Sequence, residues 1–206
     1  MNALRHASLV FVVVVGLSLF SGKILSAEEG AVMTKKCAFA AGCFWGVEKI
    51  FMELPGVTAT QVGYAGGHTE NPTYEDVCSG RTGHAEALEI SYDPSKISYE
   101  KLLLIFYQYH DPTTMNRQGP DVGSQYRSVI FYYDDEQKRL AEKSKELLGK
   151  AGIFNNPVVT EIVPAGKFWT AEDYHQKYLK KNPGGYCSHH FQSPKIAEIF
   201  KDLKSA

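Results

Sequence analysis

The feature that most constrains this chain is an abrupt change of period at Gly42-Cys43. Residues 36–41 form a short apolar run that reads as a buried strand. Directly after it, Phe44, Val47, Ile50, Phe51 and Leu54 recur at helical spacing, and Pro55-Gly56 stops the helix. A strand that passes into an amphipathic helix with almost no connection points to a layer of helix packed back on a sheet.

The remaining pattern extends this start. Residues 57–64 are strand-like and end at Ala65-Gly66-Gly67. Residues 67–84 are polar and rich in Gly, Pro, His and Thr, a loop long enough to suggest function. Residues 86–92 alternate as a strand, and Asp93-Pro94 turns the chain. Ser98 can cap a helix through Tyr109, with Leu102, Leu103 and Phe106 inward. After an irregular stretch, residues 126–133 read as a strand, and Asp134 with Gln137 fits a capping box for a helix to about Lys150. Residues 158–163 are a further strand, Thr170 can cap a helix that Pro183-Gly184-Gly185 terminates, and the tail is irregular until 196–203. The expected fold is α+β within the wider α/β class. It is a ferredoxin-like, split βαβ, two-layer sandwich with an extra C-terminal helix and an irregular tail.

The N-terminus differs in kind. Arg5 precedes an almost wholly apolar stretch, residues 7–20, and Ser26-Ala27 closes the segment. These are the parts of a secretory signal, too short for a comfortable membrane span. Residues 1–27 are therefore expected to be a signal peptide, with an uncleaved anchor as the alternative, and residues 28–206 a single catalytic domain. The protein is then exported, periplasmic or secreted, without stable membrane association after cleavage. Formal net charge is −1 in the full chain, with no basic stripe, which argues against nucleic acid as a partner. Nothing indicates more than a monomer.

Four cysteines remain after the leader: Cys37, Cys43, Cys78 and Cys187. Cys43 stands where a strand hands over to a helix, and the N–H groups of a helix start can lower a thiol's pKa. Burial as a small core residue is an equally good reading of position alone. Glu86 has the parity of Leu88, Ile90 and Tyr92 on the apolar face of its strand. A buried carboxyl there should have a raised pKa, as a general acid needs near neutrality; a strand-end residue reaching solvent is the alternative. Cys187, His189 and His190 fit no standard zinc spacing, so neither a metal nor any other cofactor is expected.

Gly42-Cys43-Phe44-Trp45-Gly46 resembles the signature of the A-type methionine sulfoxide reductases. Similar family segments follow in order: Gly63-Tyr64-Ala65-Gly66-Gly67, Asn71-Pro72-Thr73-Tyr74, Gly83-His84-Ala85-Glu86, Gln125-Tyr126-Arg127-Ser128 and Asn182-Pro183-Gly184-Gly185-Tyr186-Cys187. The resemblance implies that Cys43 attacks the sulfoxide sulfur and that Glu86, Tyr74 and Tyr126 bind and protonate the oxygen. Asp121 would orient the site or a water, and Phe44 and Trp45 would hold the substrate methyl group. It further implies that Cys187 closes a disulfide with Cys43, which thioredoxin or a periplasmic thioredoxin-like protein reduces. The implied substrate is the S epimer, in proteins or as the free amino acid. Many members carry one more cysteine beyond the position of Cys187; this chain has none there. Cys37 and Cys78 read as bystanders. Two other readings stay open at this level: a cysteine hydrolase with a histidine base, and a binding module with a structural Cys43–Cys187 bridge.

Overall fold

In the computed structural model, which describes residues 33–187, 189 and 194–205, β1 (Lys35–Ala41) turns at Gly42 directly into α1 (Phe44–Met52). Gly42 takes φ +92°, and a Cβ on it would lie 2.6 Å from the Gln118 side chain. Both the dihedral and the close approach require glycine at this position. The chain continues through β2 (Val57–Ala65), the short α2 (Tyr74–Cys78), β3 (Ala85–Tyr92) and α3 (Tyr99–Gln108). A two-residue hairpin, β4 (Arg117–Gln118) and β5 (Asp121–Val122), precedes β6 (Ser128–Tyr132) and α4 (Asp135–Ala151). Then come β7 (Glu161–Pro164), β8 (Trp169–Thr170), α5 (Tyr178–Lys181) and α6 (Lys195–Ile199). The expected leader, residues 1–27, lies outside the described residues; the catalytic unit spans Val32–Ala206.

The main sheet has the order β7-β6-β1-β3-β2-β8. Its four central strands are antiparallel neighbours, with β3 inserted between β1 and β2. That is the split βαβ order expected from the sequence, giving a mixed α/β fold with a mostly antiparallel sheet. Two edge additions extend it: β7 pairs parallel to β6, and β8 pairs antiparallel to β2. One face carries the helices over Phe39, Val62, Leu88 and Ile90, and Phe39 meets Phe106 at 5.0 Å and Phe51 at 5.6 Å between ring centroids. The other face is lined by Ala38, Ala40, Ala65, Ala85 and Ala87, small residues against which Val163, Ala165 and Phe168 pack.

Three segments depart from the sequence reading. The loop 67–84 contains α2, whose start is a capping box between Thr73 and Asp76. His84 fastens the rest of this loop: its Nδ1 accepts the Gly67 N–H at 3.0 Å, so Nε2 donates to the Thr69 carbonyl at 2.8 Å. Tyr126 lies in a 3-10 turn, Ser124–Tyr126, ahead of its strand. The helix expected from Thr170 does not form. Thr170 belongs to β8, and the following residues are held by distant partners. The Gln176 amide bonds both Val62 N–H and Val62 C=O at 3.0 and 2.9 Å, and Lys177 takes a left-handed φ of 53°. Only α5 remains helical.

A polar chain runs through the core beside the sheet. His110 Nδ1 meets the Phe106 carbonyl at 2.6 Å, so it carries the proton, and Nε2 accepts from Ser128 Oγ at 2.8 Å. Ser128 Oγ in turn accepts from Thr160 Oγ1 at 2.8 Å. Burial pushes the His110 imidazole down from 6.5 to about 4. An unfolded chain takes up this proton below 6.5 while the folded one resists, so stability falls as pH drops from 6.5 to 4. The loss is on the order of 3 kcal/mol at the acid end. In NMR the His110 ring signal, assigned with His110→Gln, should stay fixed between about pH 7 and pH 5. Movement centred near the ordinary histidine pKa contradicts this.

Candidate active site

Cys43 is the N-cap residue of α1 and is 8% exposed. The N–H groups of Trp45 and Gly46 point at its sulfur, as expected at a helix start. They do not prevail. Burial pushes the thiol well above its ordinary range, and the nearby carboxyls of Glu86 and Asp121 add to the rise. The expectation of a lowered thiol pKa is therefore corrected for the resting site. The helix N-terminus is present, but desolvation and a neighbouring acid outweigh it.

Glu86 faces this thiol from β3 and is 2% exposed. Its Oε2 accepts the Phe44 N–H at 3.0 Å, tying the carboxyl to the first residue of the helix that Cys43 caps. Burial raises the Glu86 pKa from 4.5 to about 8; the Phe44 bond pulls it down and Asp121 pushes it up. The alternation over residues 86–92 thus put the carboxyl on the correct face. At neutral pH thiol and acid are both protonated, and the pocket floor is uncharged.

The tyrosines converge on the same centre. Burial raises the phenols of Tyr74, on α2, and Tyr126, in the 3-10 turn; the Glu86 carboxyl adds to both shifts and Cys43 to that of Tyr126. Tyr74 is also bonded to Cys78, which brings that exposed thiol to the rim. Asp121 lies in the β4–β5 hairpin and accepts from the Tyr186 hydroxyl at 3.0 Å. Cys187 is an exposed free thiol, but its chain approaches α1: a Cβ on Gly46 would lie 2.9 Å from its sulfur. Cys37 is wholly buried in β1, away from this group.

Phe44 and Trp45 belong to a larger aromatic assembly than the sequence suggested. Phe44 is 1% exposed, with Tyr64 at 6.0 Å and His175 at 5.0 Å between ring centroids. The Trp45 indole stacks on Tyr178 at 3.8 Å and donates from Nε1 to His175 Nδ1 at 3.0 Å. Glu172 joins β2 to α2 by accepting from the Tyr64 hydroxyl at 2.8 Å and the Tyr74 N–H at 2.9 Å. Glu48, buried in α1, accepts from Thr60 Oγ1 at 3.0 Å and the Lys177 N–H at 2.6 Å. Glu172, His175 and Tyr178 were not singled out as site residues, because their stretch read as an ordinary helix.

A buried thiol at a helix start, an uncharged carboxylic acid beside it, two phenols and a second thiol on a terminal segment define a thiol oxidoreductase built on a ferredoxin-like sandwich. The family model for peptide methionine sulfoxide reductase matches residues 35–204. The peptide methionine sulfoxide reductase MsrA of Methanothermobacter thermautotrophicus is 59% identical over 153 residues, covering 74% of this chain and 90% of that protein. The structure of Mxr1 from Saccharomyces cerevisiae in reduced form matches with a TM-score of 0.73 at 38% identity, covering 78% of this chain and 93% of that one. Mxr1 in complex with Trx2 matches with a TM-score of 0.53 at 25% identity, covering 82% and 97% of the two chains. This chain belongs to the peptide methionine sulfoxide reductase family, and it is an oxidoreductase acting on methionine sulfoxide.

Proposed function

We propose that this protein reduces methionine-S-sulfoxide, peptide-bound or free, with Cys43 as nucleophile and Glu86 as acid. The observation that carries the reading is the bond from Phe44 N–H to a Glu86 carboxyl whose pKa stands near 8 beside the Cys43 thiol. An uncharged acid suits an uncharged, strongly dipolar sulfoxide. Glu86 gives a proton to the sulfoxide oxygen, and the Tyr74 and Tyr126 hydroxyls donate to the same atom while staying neutral. Cys43 then attacks sulfur and gives up its own proton. The oxygen passes to Cys43, the thioether leaves as methionine, and Cys43 holds a sulfenic acid. Phe44 and Trp45 supply the apolar wall for the methyl group, with His175 fixing the indole. Asp121 holds the site from the hairpin side.

Cys187 condenses with the sulfenic acid to give a disulfide and water, a step this class of chemistry favours. A thioredoxin-like dithiol protein of the exported compartment reduces that bridge; the Trx2 complex of Mxr1 supports this choice of reductant. The test is turnover driven by dithiothreitol on separated S and R epimers of a methionine sulfoxide peptide, with Cys43→Ser as control. Loss of the S epimer alone, abolished in the control, is expected. Consumption of the R epimer, or turnover by the control, sinks the assignment.

A further inference from the structure

His189 stands on the C-terminal segment two residues beyond Cys187, and the sequence offers no reason to single it out. The structure seats it between the end of β1 and the first turn of α1. Its Nε2 meets the Ala41 carbonyl at 2.6 Å. A carbonyl only accepts, so Nε2 carries the proton, and in the neutral ring Nδ1 keeps the lone pair. That Nδ1 is directed at the space above Gly46. A Cβ there would overlap Nδ1 and lie 2.9 Å from Cys187 Sγ, so base and thiol are neighbours across one point beside the helix turn that Cys43 begins. The second glycine of Gly42-Cys43-Phe44-Trp45-Gly46 is the residue that leaves them this room. Tyr186, bonded to Asp121 at 3.0 Å, holds the same segment from the hairpin side.

We infer that His189 is the base for disulfide closure. This rests on the reading of Cys187 as the thiol that resolves the Cys43 sulfenic acid. Only the thiolate attacks at a useful rate. His189 Nδ1 takes the Cys187 proton, and the Cys187 sulfur attacks the Cys43 sulfur. The S–S bond forms as the S–O bond breaks. The Cys43 sulfur gains the electron pair that the Cys187 sulfur supplies, and the proton passes to the departing hydroxide to complete water. Methionine release, which precedes this, does not use His189.

The experiment is a single turnover of the full chain with a methionine sulfoxide peptide, following methionine release and loss of free thiols separately. His189→Ala should leave release unchanged and slow closure by ~10-fold or more, the low end for loss of a positioned base being about 10²-fold in full catalysis. Added imidazole should restore closure in that variant. His189→Gln can keep the bond to Ala41 but has no basic nitrogen, and it should stay slow. Closure at the native rate in either variant, or slow closure in His189→Ala that imidazole does not restore, overturns the base role. Cys187→Ser tests the underlying reading separately. With thioredoxin as reductant it should stall after one equivalent, and continued turnover would remove Cys187, and with it this step, from the cycle.

Discussion

Glu86→Gln should give an enzyme that is slower by roughly 10²–10⁴-fold and more stable than the native protein at alkaline pH. The two effects share one cause. In the folded protein Glu86 holds its proton to about pH 8, whereas the unfolded chain releases it near 4.5. Between those values the folded state binds more protons, so native stability falls as pH rises. Glutamine does not titrate, and its carbonyl oxygen can still accept the Phe44 N–H. The variant's advantage in urea should therefore widen by about 3 kcal/mol from pH 5 to pH 8. The native kcat/KM should decline above pH 8 as the acid is lost, and the residual rate of the variant should not show that limb. A variant that keeps the full rate, or a stability gap that does not change with pH, would remove Glu86 from the acid role.

That result would also explain why the resting thiol is not acidified. A thiolate at Cys43 would stand beside Glu86 and Asp121 in a buried site, and both carboxyls oppose it. With a protonated Glu86 and a neutral thiol the empty site carries no buried charge. The charges arise only as the sulfoxide oxygen takes its proton and the thiol loses one. Substrate binding thus supplies what the helix N-terminus alone does not.

Local pattern revealed those parts of the site that depend on local geometry. Alternation along residues 86–92 was enough to put Glu86 on the buried face, and the change of period at Gly42-Cys43 marked the thiol's place between β1 and α1. The four-strand order followed from the succession of elements. Burial was the missing quantity for the acidity of Cys43, since a helix start looks alike whether wet or dry. The segment from Trp169 to Tyr178 was misread for a different reason. Its periodicity is helical, but Gln176 takes both backbone groups of Val62, Glu172 reaches Tyr64 and Tyr74, and Glu48 takes the Lys177 N–H. Those partners lie far back in the chain, where a sliding window does not look. His175 enters the site only because those bonds hold its segment against α1.

Gly63→Ala tests how far the site depends on that segment, and its effect should be the largest on stability of any single-methyl change described here. Gly63 pairs with Thr170 where β8 joins β2. A Cβ on Gly63 would overlap the Trp169 carbonyl oxygen and lie 2.5 Å from the Phe168 ring. Backbone cannot swing aside as a side-chain tip can, so β8 must leave its place on the sheet. Overpacking of this kind costs about 3 kcal/mol, the upper end of the usual range. With β8 go the anchors of Glu172 and His175, so Trp45 loses its indole bond and Tyr74 its backbone bond. The expected result is a urea midpoint lowered by about 1 M or more, accompanied by a rise in KM for the sulfoxide. Gly149→Ala supplies the contrast. It lies in α4 with nothing within 4 Å of the added methyl, and it should raise stability by up to about 1 kcal/mol with unchanged kinetics. If Gly63→Ala unfolds like Gly149→Ala, β8 does not constrain the aromatic wall, and Trp45 must be held by Tyr178 stacking alone.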